Sequence, residues 1–249
     1  MKQRLLLKKK KKENVSRKAK EKEEQKLKPA ERIALYALQK QLHILKLKEY
    51  LVIITFIIGS AFLRSLMQII PSAEPITFFA ILSGWLFGKK KGFITGALAA
   101  YLSNFFMFGG QGPWTIFQAI SWGFAGFLGG FIKHIIKEKD IQGNYWLYWL
   151  KSIFPVIFIV VFSTGVFEVI MNISWALLMP FGVFALFLSG FPFLLIHLFS
   201  NIIFAMFLPL ARRIVYEKGK FNEREICYSI ANRITNCNRD IFKRESDRE

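Results

Sequence analysis

The chain has 249 residues, of which 53% are hydrophobic and 16% aromatic, and 35 Lys and Arg against 17 Asp and Glu give a formal charge of +18. Basic and apolar residues are segregated along the chain, which excludes an ordinary soluble enzyme and a disordered nucleic-acid tail and leaves a polytopic membrane protein with basic ends. Cys227 and Cys237 lie in a polar C-terminal stretch with nine residues between them, so neither a disulfide framework nor a CxxC metal site is expected.

Residues 1–30, rich in Lys, Glu and Gln, predict a basic, disordered cytosolic tail, too charged to hold the apolar core of a cleavable signal peptide. In residues 31–49, Ile33, Leu35, Leu38, Leu42, Leu45 and Leu47 recur among lysines, which reads as an amphipathic helix on the membrane surface. Residues 50–211 are expected to form a bundle of six transmembrane helices. The first span covers 50–70 and is broken by Pro71 and Pro75; a short second covers 76–88. After the charged turn of Lys89, Lys90 and Lys91 come a third span, 92–108, a Gly/Pro turn at 109–115, and a fourth span, 116–132. A basic loop occupies 133–151. Residues 152–211 then carry a single charge, Glu168, and Pro180, Gly182, Gly190 and Pro192 divide them into spans at 152–178 and 192–211. Residues 212–249 form a polar cytosolic tail.

Lys and Arg fall in the two tails, the Lys89 turn and the 133–151 loop, while the loops near 71–75, 109–115 and 179–191 contain none. Short loops rich in these residues stay in the cytosol, so a multi-pass protein of the cell membrane with both termini cytosolic is expected. The basic tails would meet anionic lipids; with no recognition module beside them, no nucleic acid is expected as a partner.

With this orientation and a rise of about 1.5 Å per residue, the polar residues within the spans fall in the outer half. They are Arg64, Glu74, Asn104, Gln118 with Trp122, Glu168 with Asn172 and Trp175, and His197 with Asn201. Gln118/Trp122, Glu168/Asn172 and His197/Asn201 are each spaced i, i+4, so each pair shares a helix face. Ionisable groups are costly in hydrocarbon and face a partner or a watery cavity. Polar glue between helices is the alternative for single asparagines, but a common depth favours a pocket open to the outside. Gly88, Gly92, Gly96 and Ala100, and Gly126 with Gly130, repeat every four residues, a spacing that lets helices approach closely, within the bundle or against a partner. Ala61 and Ser65 form a weaker small-residue pair.

Catalysis finds little support. The segment GWLFGKK has three residues between its glycines and no Ser or Thr after the lysine, so it is not a phosphate loop. His43, His134 and His197 are far apart and lack HExxH or paired carboxylates. No enzyme activity, metal or cofactor is expected.

Residues 71–130, PSAEPITFFAILSGWLFGKKKGFITGALAAYLSNFFMFGGQGPWTIFQAISWGFAGFLGG, resemble the membrane-embedded substrate-binding subunit, or S component, of energy-coupling factor (ECF) vitamin importers. The specific features are an outer Pro-containing loop, a short span ending in Leu-Phe-Gly-Lys, a Gly/Ala-rich span, and GQGPWTIFQAISWG. The resemblance implies a six-helix bundle that binds a vitamin or related micronutrient from outside, with a transmembrane coupling protein and two cytosolic ATPases as partners. Trp114 and Trp122 are expected as stacking surfaces for such a ligand. GPWT with the following Gln and Trp looks most like members assigned to cobalamin. The two long tails, and an alanine docking motif reduced to Ala61/Ser65, depart from the family pattern. The competing class is a non-transporting membrane scaffold of S-component-like fold, which needs no polar set gathered at one depth.

Overall fold

The computed structural model describes residues 29–70, 72–141, 143–179 and 182–235, and among them every regular element is helical. The expected disorder of residues 1–28, and Cys237, lie outside the described residues. The chain divides into two compact units, one from residues up to 45 together with those from 223, the other from residues 46–222.

Helix α1 runs unbroken from Pro29–Met67. The sequence predicted a surface helix ending at 49 and a separate span from 50; the structure fuses them. No Gly or Pro interrupts residues 30–58, and Leu, Lys, Glu and Gln propagate a helix readily, so nothing stops it at the polarity change. Two short helices follow, α2 (Pro75–Phe87) and α3 (Lys89–Ser103). Pro75 opens α2, where its fixed φ is already helical and its missing N–H costs nothing. Only Gly88 separates the two helices, and its φ of 100° is one that a side chain would oppose. The three lysines assigned to a turn instead begin α3: Lys91 reaches Glu49 at 2.9 Å, and Lys89 lies 3.4 Å from the Phe131 ring centroid. These contacts offset placing cations at a helix N-terminus.

Helix α4 is Trp114–Ile135, and a single turn, α5 (Glu138–Ile141), leads to α6 (Tyr145–Leu178). The Asn144 side chain caps α6 by accepting from Trp146 N at 2.9 Å. Helix α7 is Val183–Lys218 and α8 is Glu223–Thr235. Gly190 and Pro192 lie inside α7 rather than in a loop, and Pro155 and Pro209 are likewise helical. Only residues 179–182 separate α6 from α7, and Pro in long apolar helices is tolerated where neighbouring helices and side chains satisfy the freed carbonyl.

Four helices, α1, α4, α6 and α7, are long and apolar enough to cross a membrane, and α2 is a shorter apolar helix. Phe62, Phe154, Phe158 and Phe199 are exposed around residues 46–222, while Ser83, Thr95, Asn104 and Thr164 are buried within them. An apolar exterior over a partly polar interior suits a lipid surround.

Glycine sets the closest approach. A Cβ on Gly92 would stand 2.2 Å from Gly126 O, one on Gly96 would stand 2.1 Å from Trp122 O, and one on Gly130 would stand 2.7 Å from Lys89 N. The glycine rows therefore face one another inside the α2, α3 and α4 group. Ala100 is buried beside them, Ala61 is buried in α1, and Ser65 Oγ donates to Phe106 O.

Candidate functional site

Around the start of α2, residues from six helices converge. Arg64, near the end of α1, is 5% exposed. Its Nε donates to Glu74 Oε2 at 2.7 Å, its Nη1 to Ser103 Oγ at 2.8 Å and to Asn104 Oδ1 at 2.7 Å, and its guanidinium lies 4.7 Å from the Trp122 ring centroid. Asn104, at the end of α3, donates to Thr115 Oγ1 at 2.9 Å and Gln118 Oε1 at 2.7 Å, tying α3 to the first turns of α4. One turn beyond Gln118, Trp122 Nε1 donates to Thr77 Oγ1 in α2 at 3.2 Å. Asn201 of α7 approaches the same hydroxyl at 3.5 Å and donates to Thr164 of α6 at 2.9 Å.

A second group adjoins the first through aromatic contacts. Phe167 packs 4.7 Å from Trp122, and the His197 ring meets it edge-on at 5.0 Å. His197 Nδ1 is 2.7 Å from Glu168 Oε1. With His197 only 1% exposed, that contact fixes the carboxylate's rotamer. Asn172 Nδ2 donates to Glu168 O at 2.8 Å, leaving its carbonyl oxygen toward Gly190, where a Cβ would stand 2.9 Å away.

Glu168, Asn172 and Trp175 line one wall of a cavity of about 430 Å³ between α6 and α7; Ser189, Gly190 and Phe193 line the other. Met171, Met179 and Leu186 complete it. Trp114 stacks on Trp175 with centroids 5.7 Å apart and planes at 23°, buttressing the aromatic wall from α4.

The sequence-selected residues thus separate by role. Glu168, Asn172 and Trp175 face the cavity; His197 and Trp114 support them; Arg64, Glu74, Asn104, Gln118, Trp122 and Asn201 are engaged with one another or with buried hydroxyls. Sequence reasoning missed Thr77, Ser103, Thr115 and Thr164, the small hydroxyls that bridge these groups, because isolated Ser and Thr occur throughout apolar helices without a distinctive spacing. It missed Ser189 and Phe193 for another reason: Gly190 and Pro192 read as a helix break.

His197 Nε2 and Asn201 Oδ1 are buried with no hydrogen-bond partner. They lie one turn apart on α7, so a bridging group could satisfy both. A second cavity, about 390 Å³, lies between α3 and α4 among Phe93, Tyr101, Ile116 and Ile120. Its amide, Gln111, already donates to Tyr101 O, so it offers little for orienting a polar ligand.

Comparison with protein-family models, curated proteins and solved structures finds no match for this chain.

Proposed function

We propose that the chain is the substrate-binding component of an ECF-type importer, one that captures a vitamin-class molecule at the outer face of the cell membrane. The observation that carries this reading is the cavity between α6 and α7, where a carboxylate oriented by a buried imidazole stands beside an aromatic surface. Small-molecule sites combine an apolar, aromatic lining with a few fixed polar groups in this way.

The lining sets the ligand class. With Oε1 engaged by His197, the second oxygen of Glu168 is the acceptor left for a ligand, next to the Asn172 amide and the face of Trp175. A flat ring bearing N–H donors or a positive charge suits that surface. A volume near the low end of the roughly 300–1,000 Å³ range of such sites favours a one- or two-ring vitamin over cobalamin, which is far larger.

In this reading the six spans are the C-terminal half of α1 and helices α2, α3, α4, α6 and α7. The distribution of Lys and Arg holds both termini in the cytosol and turns the cavity outward. A coupling protein and two ATPases would supply the energy, in keeping with the lack of a phosphate loop in the sequence.

One observation favours a non-transporting scaffold instead. Arg64, Glu74, Asn104 and Gln118 satisfy one another, as structural glue does. The cavity residues are what a scaffold would not need. Mass spectrometry of small molecules released from detergent-purified protein separates the two readings. A retained heteroaromatic compound in stoichiometric amount is expected, and protein that neither retains nor rebinds any compound from a cell extract would support the scaffold.

A further inference from the structure

Residues 46–222 contain a second buried arginine, near the far end of α2 from Arg64's partners, and its surroundings are different. Arg212, on α7, is 1% exposed. Its guanidinium carbon lies 4.5 Å from the Trp85 ring centroid, and Nη1 donates to Tyr148 Oη at 3.4 Å, a long contact. Trp85 and Tyr148 are 0% and 1% exposed and stack with centroids 6.5 Å apart. Arg212 Nε has no hydrogen-bond partner, and neither does the indole Nε1 of Trp85. Among the described residues no carboxylate pairs with Arg212, whereas Arg64 has Glu74.

Arginine keeps its proton wherever it is placed, so burial cannot neutralise it. A stacked indole offsets part of the cost of burying the charge but supplies no counter-charge and accepts no in-plane N–H. Both unpartnered atoms are donors. Tyr148, having accepted from Arg212, can turn its hydroxyl proton to the same point or to Ser152 Oγ, which is buried without a partner one turn on along α6. A water molecule could satisfy a donor, yet only a negative charge satisfies donors and cation together. Trp85 and Tyr148 belong to one buried apolar cluster with Leu82, Ile132, Val156 and Leu208, so the occupant must be small.

We propose that Arg212, Trp85 and Tyr148 form a binding site for a single small inorganic anion of halide type, chloride being the most abundant, which neutralises Arg212 and ties the ends of α2 and α7 to the start of α6. The site is separate from the cavity at Glu168 and does not depend on the transport reading.

Thermal unfolding of the full chain in detergent tests it, with chloride replaced by gluconate at constant ionic strength and pH. The midpoint is expected to rise with chloride, by about 3–6 °C at a concentration tenfold above half-saturation, since an ion bound only by the native state stabilises it. Bromide should substitute. Trp85→Phe keeps a ring against the Arg212 guanidinium while removing the N–H and part of the indole's volume, so it should fold with lowered stability and need roughly five- to tenfold more chloride for the same shift. Arg212→Met should lose the chloride dependence; if that variant does not fold, Trp85→Phe carries the test. Equal midpoints in chloride and gluconate, or an unchanged chloride response in Trp85→Phe, would overturn the proposal and leave these donors to water.

Discussion

Arg64 Nη1 and Asn104 Oδ1 meet at 2.7 Å across 40 residues of sequence, joining the end of α1 to the end of α3. The same guanidinium holds Glu74 in front of α2, so one side chain fixes three segments that are separate in the chain. Removing it strands a carboxylate that is 15% exposed and an amide that is 2% exposed. Arg64→Gln is therefore expected to lower unfolding stability by about 3–5 kcal/mol, the usual cost of breaking a buried pair from one side. Arg64→Gln with Glu74→Gln should recover part of that loss. Denaturant titration in detergent checks both, and a single-variant loss below about 1 kcal/mol, the level of an exposed pair, would contradict the network's role.

Two glycines should respond in opposite ways. Gly92→Ala drives a Cβ to within 2.2 Å of Gly126 O, backbone against backbone, and is expected to destabilise by about 1–3 kcal/mol. Gly165→Ala, in the middle of α6 with nothing within 4 Å of the new Cβ, should stabilise by about 0.5–1 kcal/mol through the entropy of the unfolded chain. Parallel unfolding curves decide the sign at each position.

The contrast shows what was legible in the sequence. Spacing alone identified Gly92, Gly96, Gly126 and Gly130 as small residues for close packing, since a four-residue period puts them on one face. Which surface they meet depends on tertiary contacts and could not be read. That Arg64, Asn104, Glu168 and His197 come together was likewise legible from helical rise: Arg64 and Asn104 connect through Trp122 and Phe167 to His197 and Glu168. Their division into a bonded network and a cavity wall was not, because it turns on hydroxyls such as Thr77 and Thr164 that have no signature. Boundaries suffered where polarity changed without a helix breaker, as at residue 49, and where breakers sat inside a helix that tolerates them, as at Gly190 and Pro192.

Burial pushes the Cys227 thiol up, and the Glu223 carboxylate one turn earlier on α8 adds to the shift. A raised folded-state value means that the unfolded chain ionises first as pH rises. The thiol's contribution to the stability of its unit is thus fully present below the ordinary value of 9.0 and is lost as pH climbs through the raised one. In a Cys237→Ser background, the pH–rate profile for alkylation should have its midpoint above 9.0 in native protein and return to that value in denaturant. Coincident profiles would show that the thiol is not buried.

Equilibrium binding of the compound retained by the purified protein decides whether the α6–α7 cavity holds a ligand through Glu168 and Trp175. Glu168→Gln, Asn172→Ala and Trp175→Ala line the cavity, whereas Lys137→Ala lies outside it. Losing one partner of a buried polar contact costs about 1–3 kcal/mol, so Glu168→Gln and Asn172→Ala should each weaken affinity roughly fivefold to more than a hundredfold. Trp175→Ala should weaken it at least as much through loss of the stacking wall, while Lys137→Ala binds as the unaltered protein does. Equal affinity in all four variants would mean that the ligand does not sit in this cavity.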